Sequence, residues 1–211
     1  VEIEADYFEY DKNLNILEAK GNVKAVDKIK KYEIYSDQII YKKNEELILT
    51  NGNSKAVSSE NDLIIRGNIF NYERNKNIIN AQDNVTIENK TDDYLIYSEF
   101  ISYFKEQGKI TTKGKTSGKI KSKYNFQSKD VTFLKKPNVL FSEKKTTITD
   151  DFNLYNLEKF RYLIDKEQLN GEKITIDNNY NQPNRDKFYF SSAIIDLKNQ
   201  NFIAKDTEIK V

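Results

Sequence analysis

The stretch VEIEADYFEYDKNLNILEAKGNV, residues 1–23, holds an alternating strand, a bend, a turn and a second strand, and the chain repeats it about every 31 residues. Val1, Ile3 and Ala5 fall on one face of an extended chain, with Glu2, Glu4 and Asp6 on the other. After Ala5-Asp6 the apolar residues change parity, to Phe8 and Tyr10. Side chains alternate with period two in a strand, so a parity change inside an alternating run marks a bulge or kink. The small-polar corner recurs as Ser36-Asp37, Gly67-Asn68 and Ser98-Glu99. The second strand has its own corner: Gly21-Asn22, Gly52-Asn53, Asp83-Asn84 and Gly114-Lys115. Small or permissive residues suit a place where backbone must bend sharply. A repeat of this length is one supersecondary unit stacked on copies of itself.

Carried along the chain, the repeat aligns columns of residues. The first reads Ile3, Ile34, Ile65, Ile96, Phe126, Leu154 and Tyr189; the corner column reads Ala5, Ser36, Gly67, Ser98, Ser128, Asn156 and Ser191. Beyond the corner lie Phe8, Ile39, Phe70, Ile101, Val131, Phe160 and Ile194. The second strand adds Leu17, Ile48, Ile79 and Ile110, then Ala19, Thr50, Ala81 and Thr112. This predicts an all-β chain of about seven stacked hairpin repeats, or about fourteen kinked antiparallel strands, forming a single domain over residues 1–211. Folding along the corners turns the columns inward, so the inside is apolar. Helical periodicity is confined to a short turn near Glu158–Leu163. A packed core and an open groove both fit such columns. The mixture of large residues with Ala5, Ala19, Ser36, Thr50, Gly67 and Ala81 favours a groove with room in it.

Composition limits the chemistry. The 211 residues are 37% hydrophobic and 32% charged, but 14 Tyr and 12 Phe among many Ile and Val argue for an ordered fold. With 34 basic against 33 acidic residues, the chain lacks the charge excess of a dedicated nucleic-acid binder. The absence of His, Cys, Met and Trp excludes thiol chemistry, disulfides, zinc sites built on His or Cys, and histidine acid–base catalysis. The paired carboxylates Glu2/Glu4, Glu45/Glu46, Asp92/Asp93 and Asp150/Asp151 fall on outward parity or in turns, so no enzyme and no cofactor is expected. No apolar run reaches the roughly 18 residues a membrane helix requires. Val1 and Val211 both fall in mid-strand, which leads us to expect that both ends are cut.

Charge is uneven along the chain: residues 105–145 hold 12 basic and 3 acidic side chains. Within them Lys113, Lys115 and Lys119, followed by Lys121 and Lys123, share one parity. They form either a solvated strand face or a ladder for the phosphates of a glycolipid headgroup. No aromatic residue interleaves the ladder before Tyr124, which disfavours nucleic acid.

The pattern I-x-A-D-x-x-x-Y-D with A-x-G-N-V in Ile3–Val23 resembles the OstA-type domains of the lipopolysaccharide transport family. It is echoed by Ile34–Tyr41 with Asn51–Asn53, and by Ile65–Tyr72 with Asp83–Val85. The resemblance is clearest over the first four repeats. It implies a semi-open β-jellyroll whose apolar inside carries lipid A acyl chains. The groove would be lined by Ile3, Ala5, Phe8, Leu17, Ile34, Ser36, Ile39, Ile48, Ile65, Phe70, Ile79, Ile96, Ile101 and Ile110. It also implies a periplasmic location at the outer membrane of a Gram-negative bacterium, and edge-to-edge strand pairing with homologous jellyroll domains. Within the family, seven repeats and the ending Phe202–Asp206 lean towards the domain that precedes an outer-membrane barrel with its lipoprotein partner. The lack of cysteine departs from the disulfides that often couple domain and barrel there. A structural or adhesin-like β array, and a β-helix acting on polysaccharides, are the other readings.

Overall fold

Period-two alternation interrupted at fixed corners becomes long, bent strands. The computed structural model describes residues 1–58, 60 and 62–210; Val211, the expected mid-strand end, lies outside them. Nineteen strands follow one another: β1 (Glu2–Glu4), β2 (Tyr7–Asp11), β3 (Ile16–Asp27), β4 (Tyr32–Lys42), β5 (Leu47–Ser58), β6 (Leu63–Glu73), β7 (Ile78–Asn89), β8 (Tyr94–Phe104), β9 (Lys109–Ile120), β10 (Tyr124–Lys129), β11 (Thr132–Leu134), β12 (Val139–Ser142), β13 (Thr146–Thr149), β14 (Asn153–Leu157), β15 (Lys159–Leu163), β16 (Gln168–Asn178), β17 (Asp186–Asp196), β18 (Asn201–Lys205) and β19 (Glu208–Lys210). Five neighbouring pairs, such as β1 with β2, are one bent strand interrupted at its corner, so the kinked strands number fourteen. Among the described residues the strands pair antiparallel, unlike the parallel coils of a β-helix. The chain is an all-β jellyroll of stacked hairpins, and it forms two compact units, Val1–Gln107 and Gly108–Val211.

In the first unit β1/β2 and β3 to β8 pair in chain order, and the columns expected from the sequence become ladders of facing residues. One ladder runs Ile3, Ala25, Ile34, Ala56, Ile65, Ile87 and Ile96. The next, past the corner, runs Phe8, Ala19, Ile39, Thr50, Phe70, Ala81 and Ile101. A third runs Tyr10, Leu17, Tyr41, Ile48, Tyr72, Ile79 and Tyr103. The register shifts at each corner, between Lys20 and Val23, Tyr35 and Gln38, Asn51 and Ser54, Arg66 and Ile69, and Gln82 and Val85.

The corners have a specific chemistry. Gly21 and Asn22, Gly52 and Asn53, and Asp83 and Asn84 are consecutive residues at positive φ. Only Gly, Asn and Asp adopt this left-handed conformation at small cost. The amides of Asn22 and Asn53 donate to the carboxylates of Asp6 and Asp37, both at 2.8 Å. The small-polar pair of one strand is thereby bound to the Gly-Asn pair of the next.

The second unit holds β9 to β19. β9 faces β10 and β11, β13 faces β10 and β14, and β16 lies between β14/β15 and β17. Here two expectations fail. Within the segment Glu158–Leu163 the residues Lys159–Leu163 form β15 instead of a helical turn, and the 3-10 turn follows at Ile164–Lys166. The inner column past Phe126 also continues through Ile148, Tyr155, Ile176 and Phe188, one residue away from the expected Leu154 and Tyr189. The later repeats depart from the 31-residue spacing, with 29 residues from Phe126 to Tyr155 and 33 from Tyr155 to Phe188, so a register carried forward arrives one position off. Asn156, Ser191 and Ile194 consequently face solvent, and Leu157, Phe190 and Ala193 are buried in their place.

Candidate functional site: the apolar interior and its rims

In the first unit the interior is filled where strands flank it on both sides. Ile34, Ile39, Ile48, Ile65, Phe70, Ile79, Ile96 and Ile101 are at most 2% exposed, and Ser36 is buried among them. The small residues Ala19, Thr50 and Ala81 are themselves at most 3% exposed. Ala19 faces Phe8 and Ile39, Thr50 faces Ile39 and Phe70, and Ala81 faces Phe70 and Ile101, so small meets large across each strand pair. Such alternation lets large side chains fit beside small ones along the sheet. Corner hydroxyls are small for a second reason: Ser36 donates to the carbonyls of Asn51 and Gly52, and the Phe70 amide donates to Thr50 at 2.9 Å. They satisfy backbone groups that the register shift removes from the ladder.

Burial fades towards the first edge. Ile3, Ala5 and Leu17 are half-buried, and Phe8 is 44% exposed beside exposed Tyr7 and Tyr10. Of the expected groove residues, thirteen belong to this unit; Ile110 is buried in the second, opposite Phe133. Lys113, Lys115 and Lys119 lie exposed on β9, with Lys115 facing Lys129 and Lys119 facing Asn125.

Bending brings the two rows of turns of the first unit together. Arg74, in the β6–β7 turn, is 8% exposed and donates through Nε to Asp27 at the end of β3, 2.7 Å away. Its Nη1 reaches the Tyr41 hydroxyl at 3.1 Å and pairs with Glu46. Burial opposes the Asp27 carboxylate, but the Arg74 guanidinium and the Lys30 amide outweigh it and hold its pKa below the usual value. Beside this cluster Tyr32 and Tyr72 meet edge to face with ring centres 5.4 Å apart. Lys105 reaches over the Tyr32 ring at 4.6 Å and pairs with Glu60 at 3.0 Å. Burial pushes the hydroxyls of Tyr32, Tyr72 and Tyr94 far above the ordinary tyrosine pKa, so these rings stay neutral.

A cavity of about 250 Å³ opens inside the second unit, lined by Tyr155, Ile176, Phe188, Ile195, Leu197 and Phe202. Its polar border is drawn from Asp150, Asn153, Asn178, Asp196 and Asn201. Phe202 packs on Phe188 and Phe190 with centroids 6.0 Å and 4.8 Å away, which fixes the wall of the cavity at the last edge. The alternation of Ile174 with Ile176 and of Phe188 with Phe190 carries the signal for this site, but the one-residue slip assigned the wrong parity. A second concavity of about 490 Å³ lies over Lys159, Arg161, Glu172, Ile194, Ile203 and Lys205. Among the described residues no group of three or more Asp or Glu is arranged to hold a metal ion.

No protein-family model matches the chain, and no curated protein matches it. Among solved structures it is similar to LptH, the LptA-homologous periplasmic component of the lipopolysaccharide transport device of Pseudomonas aeruginosa. The identity is 16%, over 49% of this chain and 74% of that one, with a TM-score of 0.44.

Proposed function

We propose that the protein is a non-enzymatic carrier that binds lipopolysaccharide by its acyl chains and passes it across the periplasm towards the outer membrane. The observation that carries this reading is the half-open cavity of the second unit, with an apolar wall of Ile176, Phe188, Ile195, Leu197 and Phe202 and an equally extensive polar side, beside the exposed edge strands β18 and β19. Its volume approaches the 300–1,000 Å³ range of small-ligand sites. Each methylene moved there from water contributes about 0.8 kcal/mol, while a charged headgroup remains at the border. The OstA-like corner motifs support the same reading. Edge-to-edge pairing with homologous domains fits the two unpaired edges. In the finer form the chain is the N-terminal periplasmic domain of an LptD-type assembly protein, coupled to its barrel and lipoprotein partner without disulfides; otherwise it is a bridge of the LptA type.

A photo-reactive amino acid at Ile176, which faces the cavity, is expected to capture purified lipopolysaccharide. The same group at neighbouring Thr175, of opposite parity, should capture little. Equal labelling at both positions would remove the carrier reading. The filled interior of the first unit favours a second reading, a structural β array, and that reading predicts no capture at either position.

A further inference from the structure

The first unit holds a buried ionic cluster built on Arg74 and Asp27. Asp27 ends β3 on one margin, whereas Arg74, Glu46 and Tyr41 lie at or beside the opposite row of turns, so the cluster joins the two free margins of the folded sheet. Lys105 repeats the arrangement, leaving its own row to meet Tyr32 and Glu60 in the other. Among the described residues the other buried side chains along the margins, such as Leu63, Tyr94 and Ile79, are apolar or neutral. Removing one member of a buried ion pair leaves an uncompensated charge, which favours water entry; replacing both members with apolar groups of similar volume does not. An ionic contact is also directional and short-ranged, so it holds the margins together only in one alignment.

We propose that Arg74 with Asp27 is a latch that keeps the seam of the first unit shut, with Lys105 as its second catch, and that parting this seam admits a lipid chain sideways into the first unit. The use of the latch rests on the carrier reading; its existence does not. Arg74 links Glu46 and Tyr41 on its own side before reaching across, so the latch is preassembled on one margin. Asp27 is fixed on the other margin by the Lys30 amide at 2.9 Å.

The chain has no cysteine, so two introduced ones are the sole attachment points for spin labels. Exposed Lys28 and Lys76, on opposite margins beside the latch, are replaced by cysteine and labelled, and their separation is measured by pulsed electron resonance. The parent protein is expected to give one narrow separation, and Arg74→Ala a longer or broader one with unchanged circular dichroism. Arg74→Met combined with Asp27→Leu keeps the seam closed and restores the narrow distribution, which guards against simple misfolding of the single variant. An unchanged distribution in folded Arg74→Ala overturns the latch. Uptake of a fluorescent lipid A should then be several-fold faster in Arg74→Ala than in the double variant, and equal rates overturn sideways entry. If neither variant takes up lipid while the labels separate, the latch stands and the carrier reading fails.

Discussion

Gly52 and Gly114 occupy equivalent corners and both sit at positive φ, 83° and 81°, yet their surroundings differ. A Cβ on Gly52 would lie 2.4 Å from the Asp37 carboxylate, whereas nothing lies within 4 Å of one on Gly114. Gly114→Ala should therefore lose only the conformational cost of a left-handed residue, about 1–2 kcal/mol. Gly52→Ala adds displacement of Asp37 and its bond to Asn53, and should lose about 1 kcal/mol more. Urea denaturation of the two variants checks this, and equal losses would show that the Asp–Asn clasp contributes nothing. The same contact explains the sequence at this scale: glycine stands at Gly21 and Gly52, where an aspartate crosses above it. Asp83 can replace glycine in the third repeat because Gly67-Asn68 there supplies no aspartate.

At the scale of the strand, alternation and corner spacing make β3 to β9 legible in the sequence, since each corner changes parity in the same way. The later strands were less legible. Their corners lack the Gly-Asn pair, β10 to β15 are shortened, and nothing in the local pattern of Leu154-Tyr155 or Tyr189-Phe190 says which member turns inward. Tertiary pairing decides parity there. The cavity of the second unit was missed for this reason, although its residues are ordinary apolar positions of alternating strands. The filled state of the first unit was illegible for another: a column gives residue sizes, but only register shows that small faces large. Stability should follow the same division. Amide protons in the centres of β4 to β7 are expected to exchange slowest, and those of β2 and β18, paired on one side with exposed side chains, orders of magnitude faster. Uniform protection by hydrogen-exchange mass spectrometry would contradict this.

At the scale of the whole chain, several exposed apolar side chains lie on edge strands. Tyr7, Phe8 and Tyr10 mark β2, and Phe202, Ile203 and Ile209 mark β18 and β19, with Ile203 78% exposed. Unpaired edges with apolar side chains invite another strand. The purified protein is expected to associate with rising concentration in sedimentation velocity, and Ile203→Lys should weaken that association at least several-fold. A monomer at all concentrations would show that both edges are protected.

The facing residues of the first unit recur so closely that its hairpins are interchangeable parts. Excising residues 32–62 would place Ile65 where Ile34 met Ala25, Phe70 where Ile39 met Ala19, and Tyr72 where Tyr41 met Leu17. The chain can thus be shortened by a whole hairpin, about 10 Å at the usual strand spacing, without any side chain meeting an unfamiliar neighbour in these three ladders. Such a variant is expected to fold, and the unit then behaves as a ruler graduated in hairpins, whose length is set by copying or deleting sequence.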